Sequence, residues 1–158
     1  MRYWSTPPWT GMHQAEAFIE RSHEALQQGD ALRLGLERRS DGQLIGQCTL
    51  FAFADASRRA EIGYSLAASA WGQGYMHEAL SALIDHGFDA LKLNRIEADI
   101  DPPNTASARS LEQLGFTREG LLRERWIVGD EVSDTALFGL LAREWRGRVK
   151  ATGRRTIA

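Results

Sequence analysis

The chain changes from strand-like to helical patterning at Trp71-Gly72-Gln73-Gly74-Tyr75-Met76-His77-Glu78-Ala79. Glycines let the backbone turn tightly and approach a ligand closely. The first N–H groups of the helix that follows have no partners within that helix, and its dipole favours an anion. The stretch is therefore suited to hold a pyrophosphate. Glycines before a helix are also ordinary turn residues, so the loop by itself leaves both interpretations open.

Other common site motifs are missing from the sequence. The loop has neither the Lys-Ser/Thr pair of a Walker loop nor the third glycine of a dinucleotide fingerprint. His77 and His86 are nine residues apart on the following segment, so they form no metal-binding pair. There is no HExxH, cysteine cluster or Ser-His-Asp signature. We expect no metal.

Hydrophobic periodicity predicts the elements on both sides of this loop. In chain order they are a helix over Met12–Gln28 capped by Thr10, strands at Leu32–Leu36, Leu44–Phe53 and Arg58–Leu66, a helix over Gly74–Leu91, a strand over Arg95–Ile100, a helix over Thr105–Leu114, and strands over Phe116–Val128 and Val132–Leu141. The first and last strand pairs are joined by hairpin turns at Asp41-Gly42 and Gly129-Asp130. The natural packing is a single α/β domain with a mixed, mostly antiparallel sheet flanked by helices.

Composition bounds the remaining properties. A chain of 158 residues suits one domain over 1–158, with an irregular aromatic and proline-rich segment at 1–10 and a basic, frayed tail at about 146–158. The net charge of -2 predicts neither a nucleic-acid nor a membrane partner. No apolar run approaches the ~18 residues of a membrane helix, and we expect a cytoplasmic protein. The single cysteine, Cys48, lies in an apolar strand and is expected to be an inert packed thiol.

Several further short motifs occur in one order over roughly Leu32–Trp145. They are Ala60–Leu66, Trp71–Tyr75, Glu78–Leu80, Asn104–Ser107, Leu114–Phe116, Glu119–Arg123, Gly129-Asp130, Asp134 and Leu140. Together they resemble the GNAT acetyltransferases, and most closely the branch that includes the RimJ/RimL-type ribosomal-protein N-terminal acetyltransferases. The resemblance implies the GNAT fold and acetyl-CoA as co-substrate. It implies cofactor contacts at Leu66, Trp71, Gly72, Gln73, Gly74, Tyr75, Met76, His77, Asn104 and Ser107.

The sequence departs from the family pattern at three places. The glycine loop has Trp71 and Met76 where the family usually has Arg or Gln and Gly or Ala. Leu111 stands where many members carry a tyrosine that acts as general acid. The usual first strand is expected to be missing before the Met12–Gln28 helix, so one edge of the sheet and part of the substrate pocket are expected to differ from the family pattern.

Acetyl transfer to an amine requires a base, because a free amine is largely protonated at neutral pH. Glu61 is the candidate base, since Glu61, Gly63 and Ser65 point away from Ile62, Tyr64 and Leu66, which occupy the other face of the strand. The resemblance implies a proton-accepting glutamate there. Alternatively, Glu61 is an exposed carboxylate paired with Arg58 or Arg59. Glu97 in the next strand is a second candidate base.

The leaving thiolate requires a proton donor, and the thioester oxygen requires a hydrogen-bond donor. The resemblance implies Ser107 for the first role, although a serine at a helix start often bonds its own backbone. Asn104 either caps the Thr105–Leu114 helix or hydrogen-bonds the pantetheine arm, and the resemblance favours the arm. The family separates two strands near Leu66, which makes a main-chain N–H there the expected oxyanion donor. Trp126 and Asp134 are candidates to face the substrate, and Asp134 is equally a candidate for a structural hydrogen-bond acceptor.

We therefore predict an acetyl-CoA-dependent N-acetyltransferase in which a primary amine attacks the thioester directly. The acceptor is a protein N-terminal α-amine or a small-molecule amine. A non-catalytic CoA-binding or sensing domain is the alternative from another class, and Glu61 argues against it. A homodimer is compatible with the resemblance, because edge strands often pair in this family.

Overall fold

A computed structural model describes residues 9–152, with side chains described for residues 9–148. The main elements are α1 (Met12–Gln28), β1 (Ala31–Arg38), β2 (Gln43–Ala54), β3 (Arg59–Leu66), α2 (Tyr75–Asp89), β4 (Arg95–Ile100), α3 (Thr105–Leu114), β5 (Thr117–Val128), β6 (Glu131–Leu141) and α4 (Ala142–Thr152). The predicted α/β class with a mixed, mostly antiparallel sheet is confirmed. Within the described residues the first regular element is α1.

The pairing between the two central strands of the sheet, β3 and β4, ends early and leaves an opening between them. Its strand order is β1-β2-β3-β4-β6-β5, and the β3–β4 pair is parallel whereas the others are antiparallel. The parallel pairing joins Arg59–Glu61 to Arg95–Glu97 and then stops, although both strands continue. The two strands therefore part directly after Glu61.

The hydrophobic core lies on one face of the sheet, beneath α2 and α3. Ile62 of β3 and Ile96 of β4 point into it and meet Phe88 of α2 and Leu111 of α3. Cys48 belongs to the same cluster at 1% exposure, and burial raises the pKa of its thiol to about 11. Since strand residues alternate between faces, Glu61 and Glu97 lie on the opposite, polar face.

Helix α1 packs lightly on the polar face, against β1. Arg33 of β1 lies over the Phe18 ring at 5.5 Å, and none of the helix residues is fully buried. The predicted cap at Thr10 was wrong, because Gly11 occupies the N-cap position. The side chain of Gln14 does the capping instead, accepting from Thr10 N at 2.6 Å and Gly11 N at 3.2 Å.

The expectation of a frayed basic tail was also wrong as far as Thr152, where the chain forms α4. Trp145 is 5% exposed and donates from Nε1 to Asp85 at 2.6 Å. Arg146 and Arg148 donate to main-chain oxygens near the ends of α2 and α3, where cations favourably meet the helix dipole. The rest of the tail lies outside the described residues.

The aromatic segment at the other end is described only from Trp9 onward, so Tyr3 and Trp4 lie outside the described residues. The Trp9 ring lies 5.3 Å from the ring of Phe18, and its side chain remains partly exposed. Residues 9–152 include no helix with the length and apolarity needed to cross a membrane.

Candidate active site

The open edge of β3 is where the two central strands part. Ala67 N donates to Ile45 O of β2 at 2.8 Å. Because neighbouring strand residues direct their N–H groups to opposite edges, Leu66 N–H points away from β2 and into the opening. Arg58 O accepts from Asn94 N at 2.6 Å on the β4 side, which agrees with this alternation. The main-chain donor predicted near Leu66 is therefore available at the opening.

The glycine loop presents a run of free main-chain donors. Gly72 and Gly74 adopt left-handed conformations, with φ of 71° and 83°, and a Cβ at either would meet nothing within 4 Å. The first main-chain bond of α2 is donated by Glu78 N to Gly74 O at 3.1 Å. Within the described part of the chain, the N–H groups from Gly72 to Met76 have no acceptor. These groups and the α2 dipole suit a pyrophosphate.

Two side chains of the glycine loop hydrogen-bond main-chain oxygens just before it. Trp71 donates from Nε1 to Leu66 O at 2.8 Å, and Gln73 donates from Nε2 to Ser69 O at 3.0 Å. Met76 points into the core at 9% exposure, so only its main chain is turned toward the loop. His77 lies in the first turn of α2, and its carbonyl oxygen accepts from Ser81 Oγ at 2.7 Å. A cofactor would therefore meet mainly backbone here.

A cation that the sequence patterns did not single out lies beside this loop. Arg38, at the end of β1, donates from Nε to Asp41 at 2.9 Å and from Nη2 to Gln43 at 2.8 Å. Asp41 raises the pKa of the Arg38 guanidinium, and the nearby Tyr75 hydroxyl adds to the rise. The Asp41-Gly42 turn had indicated only a hairpin. Because Tyr75 at the start of α2 lies near Arg38, this hairpin lies beside the glycine loop.

The start of α3 is held from two sides. Asn104 Oδ1 accepts from Ser107 N at 3.2 Å, so Asn104 caps the helix. Capping was one of the two roles predicted for Asn104. Its Nδ2 makes no hydrogen bond within residues 9–148 and remains able to donate to a ligand. The Tyr64 hydroxyl donates to Ser107 O at 3.2 Å, and burial raises the pKa of Tyr64 to about 12. The sequence had placed Tyr64 only on the face of the strand opposite Glu61.

The two candidate bases differ in their partners. Glu97 accepts from Arg59 Nη1 at 2.7 Å on one oxygen and from Arg95 Nε at 2.7 Å on the other. Glu61, directly across in the register, has no hydrogen-bond or ion-pair partner among the described side chains. Burial raises the pKa of Glu61 above its ordinary value of 4.5, and Asp99 and then Glu97 raise it further. Among the described side chains Glu61 forms no ion pair with Arg58 or Arg59, although the charge of Arg59 opposes the rise in the pKa of Glu61.

Arg95 extends this polar network across the sheet. Its guanidinium passes over Gly139 of β6 and binds Glu119 of β5, with Nη1 donating at 3.0 Å and Nη2 at 2.5 Å. A Cβ at Gly139 would lie 2.6 Å from Arg95 Nη2, so a glycine is required for this close approach. The network links β3 to β5 and leaves Glu61 at its edge.

The last hairpin carries a bulge close to the opening. The β5–β6 register shifts between Leu122 and Trp126, and Glu124 has a φ of 52°. Asp134 accepts from Glu124 N at 2.8 Å, so its structural interpretation is confirmed. Trp126 remains 39% exposed, with Arg125 6.0 Å from its ring centre. Arg125 is also near enough to Glu61 to oppose the rise in its pKa.

Comparison with known proteins agrees with this geometry. Residues 1–117 match the family model described as the acetyltransferase (GNAT) domain. The chain belongs to the GNAT acetyltransferases. This GNAT protein is 37% identical over 155 residues to an uncharacterized N-acetyltransferase, p20, of Bacillus licheniformis, covering 92% of this chain and 87% of that relative.

Two further relatives of this GNAT acetyltransferase carry more specific names. It is 30% identical over 131 residues to the ribosomal protein uS5-alanine N-acetyltransferase of Escherichia coli, covering 82% of this chain and 68% of that protein. The structure of Mycobacterium smegmatis RimJ in complex with CoA-disulfide matches with a TM-score of 0.80 at 32% identity, covering 94% of this chain and 76% of that one. The predicted resemblance to the RimJ/RimL branch is confirmed, and the protein is an N-acetyltransferase.

Proposed function

We propose that this GNAT protein transfers an acetyl group from acetyl-CoA to a primary amine by direct attack, with Glu61 as base and Ser107 as proton donor. The observation that carries the proposal is the opening between β3 and β4. Glu61 lies at the last paired position on the polar face, and Ser107 contacts Tyr64 from the core face. With Glu61 on one side of the opening and Ser107 on the other, a base would lie beside the attacking amine and a proton donor beside the leaving thiolate.

The donor would lie along the open edge of β3. Its pyrophosphate would accept from the free N–H groups between Gly72 and Met76, and its pantetheine arm would follow the strand toward Asn104 Nδ2. The thioester oxygen would then accept from Leu66 N–H as it gains negative charge. This assignment of the loop and strand rests on their unpartnered donors. It leaves the side chains of Trp71, Gln73 and Met76 to shape the loop rather than to bind.

The chemistry follows from the two flanking groups. Glu61, directly or through a water, takes the proton that the attacking nitrogen must lose, and its raised pKa brings its basicity nearer to neutral pH. Collapse of the tetrahedral intermediate breaks the carbon–sulfur bond, and Ser107 donates a proton to the sulfur while a solvent water returns a proton to the serine oxygen. Cys48 is buried, and its thiol pKa of about 11 keeps it protonated, which disfavours an acetyl-cysteine intermediate.

The acceptor class is the finer part of the proposal. Because one relative is named as an alanine N-acetyltransferase of a ribosomal protein, protein N-terminal α-amines are the first candidates. Small-molecule amines are the second. A single domain over 1–158, a cytoplasmic location and a homodimer remain predictions, as does the absence of a metal requirement.

The test combines binding with turnover. Isothermal titration measures the affinity for acetyl-CoA, and free-thiol release is then followed with alanine- and serine-starting peptides, polyamines and amino sugars, for wild type and Glu61→Gln. Binding, turnover on one amine class and a large loss in Glu61→Gln are expected. Binding without turnover on any amine would favour a CoA-sensing domain, and no binding would refute the proposal.

A further inference from the structure

We propose that Tyr64 is a positioning residue for the transfer reaction, which holds Ser107 in place across the opening between β3 and β4. The inference rests on the proposed function, in which the Ser107 hydroxyl donates a proton to the leaving thiolate. Tyr64 itself does not touch the reacting atoms in this proposal. It acts through the Ser107 peptide.

The contact joins β3 to the start of α3 at a level of the sheet where the register of β3 and β4 has ended. Beyond Glu61 the main chains of β3 and β4 exchange no hydrogen bonds within the described residues, and α3 follows β4. The Tyr64 hydroxyl, three residues past Glu61, reaches Ser107 O at 3.2 Å. A hydrogen bond from β3 to the start of α3 therefore ties the two walls of the opening together.

Both main-chain polar groups of Ser107 are hydrogen-bonded to side chains. Its N–H donates to Asn104 Oδ1, and its carbonyl oxygen accepts from Tyr64, each at 3.2 Å. With both main-chain groups bound, the remaining freedom of Ser107 is mainly the rotation of its side chain. A proton donor gains from such restraint, because displacement by about 1 Å can cost on the order of a hundredfold in rate.

Tyr64 is suited to this role and unsuited to proton donation. Its ring packs against the core cluster, so the side chain is anchored, and a phenylalanine would preserve that packing. Its hydroxyl donates to a main-chain oxygen and stays protonated at neutral pH. Leu111, at the position where a tyrosine acid is common in the family, is fully buried. The tyrosine near this reaction centre therefore supports the serine and does not replace it.

A double-mutant cycle tests the inference on the full chain. Wild type, Tyr64→Phe, Ser107→Ala and the double variant are compared by thiol release with the amine class found active. Tyr64→Phe should lower kcat about tenfold, the effect of one lost hydrogen bond of ~1.4 kcal/mol, while KM for acetyl-CoA changes by less than about twofold. In the Ser107→Ala background the same substitution should have no further effect on kcat.

Two variants complete the design. Ser107→Thr restores a hydroxyl at the same position, and the loss caused by Tyr64→Phe should return in that background. Ser110→Ala is the matched control, because the Ser110 hydroxyl bonds Ala106 O on the same helix and the variant should keep wild-type kcat. Thermal unfolding of every variant shows whether each protein is folded.

The outcomes separate the inference from the proposed function. An equal tenfold loss in the wild-type and Ser107→Ala backgrounds would overturn the inference, because Tyr64 would then act independently of the serine. A kcat unchanged by Tyr64→Phe would overturn it as well. Absence of turnover by wild type on every amine would overturn the proposed function itself.

Discussion

Glu61 and Glu97 lie opposite each other in the parallel pairing of β3 and β4, yet arginines bind Glu97 on both oxygens and leave Glu61 without a partner. The two oxygens of Glu97 are thus engaged in structural contacts, whereas those of Glu61 have no such contacts among the described side chains. Burial and the charges of Asp99 and Glu97 raise the pKa of Glu61, and Arg59 and Arg125 oppose this rise without cancelling it. The two residues therefore have separate predicted roles, chemical for Glu61 and structural for Glu97.

Replacing each glutamate by glutamine tests this division. Glu61→Gln removes the base, and we expect kcat/KM to fall by roughly a hundredfold or more with little change in Tm. Glu97→Gln weakens both arginine contacts. Because Arg59 is more than a third exposed, solvent screening limits the loss to about 1 kcal/mol, or roughly 2–4 °C in Tm. Both variants are measured by steady-state kinetics and thermal unfolding. A large activity loss in Glu97→Gln with little loss in Glu61→Gln would refute the division.

The raised pKa of Glu61 predicts the acid limb of the pH profile. The base must be ionised, so kcat/KM should fall as pH drops through a pKa above 4.5. Asp99→Asn removes the largest like-charge contribution and should move the limb to lower pH. The exposed Glu112→Gln on α3 is the control and should leave the limb in place. A limb unmoved by Asp99→Asn would argue against Glu61 as the titrating group.

The same shift predicts the pH dependence of stability. A carboxyl whose pKa is higher in the folded than in the unfolded state favours folding while it is protonated, and this contribution is lost as pH rises through the folded-state pKa. Ionised Glu61 therefore opposes folding at neutral pH. Glu61→Gln should have a Tm at pH 7 equal to or above that of wild type, and a clear decrease would contradict this environment.

The glycine loop is tested by a pair of matched alanine substitutions. Gly74 and Gly129 both have positive φ and open space around a built Cβ, so alanine at either should cost about 1–2 kcal/mol of folding stability. Only Gly74 lies at the N-terminus of α2. Gly74→Ala should weaken acetyl-CoA binding on the order of tenfold by titration calorimetry, because the Cβ occupies ligand space. Equal affinity in the two variants would remove the loop from the binding site.

The burial of Cys48 predicts that the native protein does not react with a thiol reagent. Cys48 is the single cysteine of the chain. With Ellman's reagent, unfolded protein should therefore release one equivalent of the coloured thiolate, and native protein essentially none. Cys48→Ala should cost about 1 kcal/mol in stability and leave kcat unchanged. Loss of turnover in a folded Cys48→Ala protein would indicate a covalent intermediate.

Much of the fold followed from local pattern. Alternation in β3 placed Glu61 and Ile62 on opposite faces, and Gly115 ended α3 in the left-handed conformation that a glycine favours. The loop before α2 was recognised from Gly72 and Gly74, which do adopt left-handed conformations. α4 was missed because its stability comes from Trp145 and from arginine contacts with other helices, which a basic composition does not show.

The sequence by itself therefore determined the elements from α1 to β6, the two faces of β3 and the family, because these depend on short-range periodicity and on motif order. Tertiary structure decided the partners. Arg59 binds Glu97 across 38 residues and Tyr64 binds Ser107 across 43, and no local pattern encodes which distant groups meet. The choice between the two candidate glutamates and the support of the serine depend on side-chain contacts that form only when the strands pair and the start of α3 comes within reach of Tyr64.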